Sequence, residues 1–258
     1  MLSSHDHLEI RLAESEADRR AAERLRYRVF VEELGGDGPL VDHEERFERD
    51  RFDEVYDHLV LVDTRRDADA LDHVVGVYRL MPGDRAAEIG GFYSEDEYDL
   101  SVLKSSGRRL LELGRSCVHQ DYRDGLALLL LWNGLGDYVR RNRAEILFGV
   151  ASFHGTDIDA LALPLAHLHH AHLAPPELRV RARDEVFQRM DLVPPERIDR
   201  VAAMRAVPSL IKSYLRLGGF VGDGAFVDRV FNTTDVCLVL DTVRLSDRDL
   251  RRFSGGAD

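Results

Sequence analysis

A chain of 258 residues with 44% hydrophobic and 32% charged side chains has a globular composition, with apolar material for one large core or two small ones. The formal net charge of −12 argues against non-specific nucleic-acid binding, which needs clustered Lys and Arg. It also disfavours global attraction to an anionic membrane, although local basic patches still permit peripheral contact with an inner-membrane surface. Two cysteines, Cys117 and Cys237, make neither a disulfide framework nor a zinc signature, and suit a reducing cytoplasm. Residues 1–9 are polar, so no signal peptide is expected, and the apolar run 126–132 is too short to span a bilayer.

Residues 8–13 alternate as a strand, and Ser15 is a good N-cap with acidic residues in the turn that follows. Ala21, Ala22, Leu25, Val29 and Phe30 recur at helical spacing, which predicts one helix over 17–34 ended by Gly35-Gly36. Residues 37–57 read as an acidic loop, and 58–62 with 74–80 as a β-hairpin. A connection containing Gly90-Gly91 spans 83–94, and 96–107 is expected to be a short helix. Next come a strand at 110–118, an amphipathic helix at 125–142, a buried strand at 146–151 and a helix at 157–173. Pro175-Pro176 and Pro194-Pro195 punctuate the irregular stretch 177–208, within which 196–206 is helix-like. A short helix at 208–217 stops at Gly218-Gly219, a last strand covers 236–241, and the tail 246–258 is read as frayed. The pattern suits a single mixed α/β domain: core sheet and helices at 8–154, an insertion at 155–234, and the final strand within 235–245.

The most informative stretch is 110–127. Glu112 is a carboxylate in an otherwise apolar strand, which is costly unless it is paired or used. A buried ion pair with Arg115 and a catalytic role are equally consistent with this strand alone. A bulge at Gly114 would open the sheet into a slot for an extended ligand. The turn 121–125 aims backbone N–H groups at a helix entrance, with Arg123 and Gly125 placed to hold a phosphate. Arg26, Arg28 and Arg79 match Asp50, Asp53 and Glu54 in number; Arg79, in a strand-like run, demands a partner. His167, His169, His170 and His172 form a cluster in which His169 and His172 could converge, yet no acid or Cys after Asp159 in that helix completes a metal set. No metal is expected. Cys117 has His119 two residues on, but an activated cysteine usually sits at a helix N-terminus, so Cys117 is read as a small buried hydrophobe.

A carboxylate strand leading into a phosphate turn and helix resembles the GNAT N-acyltransferase fold: α/β, with a mixed central sheet flanked by helices and here a C-terminal helical insertion before the last strand. RYRVF at 26–30, DRFD at 50–53, YRL at 78–80 and ELGR at 112–115 resemble the signature of acyl-homoserine-lactone synthases. Across nearly the whole chain, IGGFYSEDEYDL, LLELGRSCVHQDYRDG, LFGVASFHGTD, LHHAHLAPPELRVRA and YLRLGGFVGDGAFVDRVFNTTDVCLVLD resemble the ornithine lipid N-acyltransferases, once labelled hemolysins.

That resemblance implies transfer of a 3-hydroxyacyl group from acyl carrier protein to the α-amine of L-ornithine, with no resident cofactor. It implies Glu112 as base and Arg26, Phe30, Asp50, Asp53, Arg79 and Arg115 as substrate-binding residues. Ser116, Cys117, Val118, Arg123, Gly125 and Ala127 would meet the donor's phosphopantetheine. The usual GNAT coenzyme A loop has Arg or Gln three residues before its first Gly; here that position is Tyr122, which favours a carrier-protein donor. Within enzymes, the rivals are another acceptor (glutamine or glycine) and a homoserine-lactone synthase using S-adenosylmethionine, the latter disfavoured by the long C-terminal half. Outside them stands a GNAT-shaped binding or membrane-active protein, which no amphipathic or spanning stretch supports.

Overall fold

The computed structural model describes residues 7–245; the tail expected to fray and residues 1–6 lie outside the described residues. Ser15 starts the first helix as expected: its Oγ accepts the Asp18 N–H at 3.1 Å, and the Asp18 carboxylate accepts the Ser15 N–H at 3.2 Å. The helix does not run uniformly to residue 34. After Arg26 it widens into a π-helical stretch, Tyr27–Glu33, closed when the Gly36 N–H reaches the Phe30 carbonyl at 2.9 Å.

In chain order the elements begin with β1 (Leu8–Leu12), α1 (Glu16–Arg26), β2 (Asp57–Asp63), β3 (Val74–Pro82) and α2 (Gly83–Ile89). There follow β4 (Tyr98–Asp99), α3 (Ser101–Lys104), β5 (Leu110–Val118), α4 (Leu126–Asn142) and β6 (Ile146–His154). The last are α5 (Ile158–His172), β7 (Arg181–Ala182), α6 (Arg200–Ala206), α7 (Ser209–Arg216), β8 (Phe220–Val221), β9 (Phe226–Asp228) and β10 (Thr233–Asp241). The connection expected at 83–94 contains α2, and the helix expected at 96–107 shrinks to the single turn α3. The final strand starts at Thr233 and ends at Asp241, whose carboxylate accepts the Val243 N–H at 3.1 Å and turns the chain. No helix among the described residues is long and apolar enough to cross a membrane.

The described chain packs as two compact units, 7–81 with 113–143 and 82–112 with 144–245. In the first, β1 pairs antiparallel with β2 and β2 with β3, and β3 neighbours the later half of β5. Helix α1 covers one sheet face, packing Ala21, Ala22, Leu25 and Val29 on Val60, Val77 and Cys117. Helix α4 covers the other, with Ala127 and Leu131 on Leu61 and Val75. Burial on both faces explains why β3 shows no apolar/polar alternation. In the second unit, β5 pairs parallel with β6 from Leu110↔Ile146 to Glu112↔Phe148. Strand β6 pairs antiparallel with the whole of β10, and β8 and β9 also pair with β10. The insertion supplies α5, α6 and α7 to this unit.

Gly134 lets α4 approach the sheet: a Cβ there would stand 2.6 Å from Ile10 Cγ1 and 3.1 Å from Leu59 Cδ1. Gly134→Val should therefore destabilise the protein by about 2–3 kcal/mol through overpacking. The shift of the urea midpoint relative to wild type measures it.

Candidate active site

Helix α1 delivers Arg26 to a site with 0% exposure, where every nitrogen of its guanidinium is engaged. Nε donates to Glu48 Oε2 at 2.5 Å and Nη2 to the Glu48 carbonyl at 2.5 Å. Nη1 and Nη2 form a fork on Asp53, with Nη2 to Oδ2 at 2.7 Å. Arg79 on β3 donates to Asp50 Oδ1 at 2.7 Å and to Asp53 Oδ1 at 3.0 Å, its guanidinium carbon 4.6 Å from the Tyr56 ring centroid. Arg115 on β5 adds contacts to Glu48 Oε1 and Asp50 Oδ2, both at 3.2 Å.

Arg26, Asp50, Asp53, Arg79 and Arg115 are thus brought together, and the sixth member, Glu48, escaped the sequence reading. Three arginines face three carboxylates. Burial pushes the Asp53 carboxyl up, but the neighbouring Arg26 and Arg79 charges overcome it and hold Asp53 well below the usual range. Asp50 is lowered in the same way, by Arg79 and Arg115 acting against burial. The sequence left open whether Asp50 and Asp53 hold a cationic substrate or orient arginines; in the structure their oxygens engage arginines. Phe30 sits apart from the ionic contacts, on the π-helical stretch, packed against the core under α1.

His58 on β2 closes the cluster from below, its Nε2–H donating to the Asp53 carbonyl at 2.9 Å. Burial first, and then the Arg26 charge, lower its pKa to about 4, so it is neutral near pH 7.

Next to Gly114, where a bulge is expected, stands the left-handed residue of β5. Arg115 has φ +49°, a left-handed conformation that costs a non-glycine residue energy and is held here by its two carboxylate partners. Beyond it Ser116 is half-buried and Val118 packs partly against the core under α4. Cys117 is buried under α1, where desolvation pushes its thiol well above the ordinary range. That argues against a nucleophilic cysteine.

Glu112 belongs to the second unit and is 1% exposed. Its Oε1 accepts the Ser94 N–H at 2.7 Å and its Oε2 the Tyr93 N–H at 3.0 Å, so both oxygens are fixed by one short 3₁₀ turn.

In the turn after β5, Gly125 takes φ +100° and caps α4, whose first-turn amides, including those of Ala127 and Leu128, have no intrahelical acceptor. Ala127 itself is buried against the sheet. Arg123 folds back, donating to the Val118 carbonyl at 2.9 Å and to Glu33 at 2.7 Å, with its side chain still 45% exposed. Among the described residues no three His, Cys, Asp or Glu side chains form a metal site; His170 of the α5 cluster instead lies 2.9 Å from Asp191.

Residues 25–133 match the acetyltransferase (GNAT) domain family. An L-ornithine N(alpha)-acyltransferase of Rhodobacter capsulatus is 65% identical over 93% of this chain and 92% of its own length. The chain belongs to the L-ornithine N(alpha)-acyltransferase family. A second member, from Brucella abortus, is 45% identical over 97% of this chain and 90% of its own length. The solved structure of the AHL synthase LasI has the same fold, with a TM-score of 0.51, 14% identity and coverage of 98% of this chain and 97% of that one. The GNAT fold expected from the motif order is borne out.

The ionic cluster sets a pH dependence. The folded-state pKa of His58 lies below its unfolded value near 6.5, so the unfolded chain binds more protons between about pH 6.5 and 4. Stability is full above 6.5 and falls by roughly 3 kcal/mol on acidification to pH 4. His58→Gln should flatten that slope, as read from urea midpoints at pH 7, 5.5 and 4.5.

Proposed function

We propose that this protein transfers a 3-hydroxyacyl group from acyl carrier protein to the α-amine of L-ornithine, producing lyso-ornithine lipid. The acceptor follows the relatives, which are L-ornithine N(alpha)-acyltransferases at up to 65% identity. The observation that carries the chemistry is Glu112, a buried carboxylate whose two oxygens are fixed by the backbone amides of Tyr93 and Ser94.

The amine arrives as an ammonium near neutral pH, and Glu112 takes a proton from it, directly or through one water. The freed nitrogen attacks the thioester carbon, the C–N bond forms, and the oxyanion is met by backbone N–H donors in the 116–118 stretch. The C–S bond then breaks, and the second amine proton leaves with the thiolate as the free thiol of the carrier's pantetheine arm. No acyl-enzyme is needed, and the buried Cys117 is not used. The ionic cluster of Arg26, Glu48, Asp50, Asp53, Arg79 and Arg115 acts as a positioning scaffold, its acids neutralised by its own arginines.

The donor's phosphodiester is assigned to Arg123, Gly125 and the first-turn amides at Ala127, where a helix N-terminus favours an anion. The donor carries its own phosphopantetheine, so no resident cofactor enters the reading. The reaction is placed in the cytoplasm, with the single-chain product handed to the inner-membrane surface.

Glu112→Gln should lower kcat by about 10²–10⁴ while Tm stays near wild type. Unchanged turnover in a folded variant rules Glu112 out as the base. Arg123→Ala should raise KM for the acyl carrier protein donor with little change in kcat; an unaltered KM makes the turn purely structural. Mass spectrometry of the lipid formed from 3-hydroxyacyl carrier protein and a panel of amino acids checks acceptor and product together.

A further inference from the structure

Of the chain's 47 acidic residues none falls between Arg200 and Gly222, the longest stretch without one. Four cations do: Arg200, Arg205, Lys212 and Arg216. The stretch holds α6 and α7, so one helical pair of the second unit is purely basic in a chain of net charge −12.

The packing of α7 decides where that charge points. Ile211 and Tyr214 are buried, and the helix lies against β10. Ser209, Lys212, Ser213 and Arg216, at alternating three- and four-residue spacing, make up its outer face. Lys212 Nζ donates to the Arg205 carbonyl at 3.2 Å, which sets the α7 cations beside α6. On α6 Arg205 is exposed, and one turn before it Val201 is 71% exposed.

None of the four cations forms an ion pair with a carboxylate of a described residue. Elsewhere on the same unit exposed arginines are paired, Arg189 with Asp191 at 3.1 Å and Arg244 with Glu177 at 3.0 Å. Asp199, the acid that precedes the stretch, caps α6 instead, accepting the Val201 and Ala202 amides at 3.0 Å each. Lys212 and Arg216 stand one turn apart on one helix, where like charges repel, and no acid lies between them to relieve it. Screening limits each exposed charge to about 8 Å at physiological ionic strength, so this face acts by its own sign and not by that of the whole chain.

An anionic surface relieves the repulsion, and two kinds present themselves: an acidic protein and a bilayer with anionic headgroups. Protein interfaces fix their register by electrostatic complementarity, with patches of both signs placed to exclude wrong partners. The α6–α7 face carries one sign only, on long side chains, beside an exposed apolar Val201. Charge of one sign with no register, next to an apolar contact, matches a fluid lipid surface.

We propose that the outer face of α6 and α7 docks this protein on an anionic lipid bilayer. The apolar side of α7 is taken up by the core, so Arg205, Lys212 and Arg216 meet headgroup phosphates and the contact is reversible, without insertion. The inference goes beyond the acyl transfer itself and does not depend on the acceptor.

Co-sedimentation of the full chain with vesicles, in the absence of any substrate, tests it. The wild type should pellet with vesicles of equal parts phosphatidylcholine and phosphatidylglycerol, stay in solution with phosphatidylcholine alone, and be released by salt. Lys212→Gln/Arg216→Gln should lower the partition coefficient about 25-fold, at about 5-fold per cation, and adding Arg205→Gln should take the loss to about 100-fold. Arg19→Gln/Arg140→Gln removes the same charge from exposed ion pairs with Glu16 and Asp137, and should change it by less than about 2-fold. A wild type that binds neither vesicle, or patch variants that bind as the wild type does, overturn the proposal. Patch variants that raise KM for the acyl carrier protein donor while keeping vesicle binding assign the face to a protein partner and overturn it equally. Since no substrate is present, failed vesicle binding leaves the reading of the reaction intact, and failed acyl transfer leaves the vesicle result intact.

Discussion

The buried guanidinium of Arg26 is the contact on which the first unit depends. With no solvent exposure it has no water to fall back on, and removing such a charge from water costs several kcal/mol unless every donor is met. All three of its nitrogens are met by Glu48 and Asp53, two residues of one loop. That requirement docks an irregular loop onto helix α1. Asp53 also accepts from Arg79 on β3, and Glu48 from Arg115 on β5, so one set of charges registers helix, loop and two strands. The Asp53 carboxylate further accepts the Asp50 amide at 2.7 Å, so the loop's backbone is tied to the same point. Loss of any one member leaves a buried charge uncompensated, which costs more than the net value of any single pair.

This interdependence explains what the sequence could and could not show. Strand β5 was legible to the residue because an apolar run bounded by Gly107 and the polar turn admits few alternatives. Number alone grouped Arg26, Arg28 and Arg79 with Asp50, Asp53 and Glu54, and four of the six meet in the cluster, while Arg28 pairs with Asp72 instead. Glu48 was not legible, because it lies among Glu44, Glu45, Arg46 and Arg49, where a linear reading sees only a solvated acidic loop. The π-helical stretch was invisible for a related reason: seven residues do not separate its period from that of an α-helix, and its ends are set by tertiary contacts.

The backbone at Gly114 and Arg115 is the most instructive of these stretches. Glycine is the default for a positive φ, so Gly114 was the natural candidate. The left-handed residue is Arg115, and its strain is offset by ionic contacts to Glu48 and Asp50 that no local rule reveals. Helix α2 was missed because its C-terminal signal, Gly90 at φ +94°, was read as part of a loop, and its buried face amounts to Ala86.

The second unit buries a different set of charges. Where the first unit buries Arg26 and Arg79 with its carboxylates, the buried charged side chains described in the second unit are all acidic, and Asp241 among them is met by the half-buried Arg108. The turn carrying Tyr93 and Ser94 clamps Glu112 through its amides, and its Ser94 carbonyl holds the amide of Glu97.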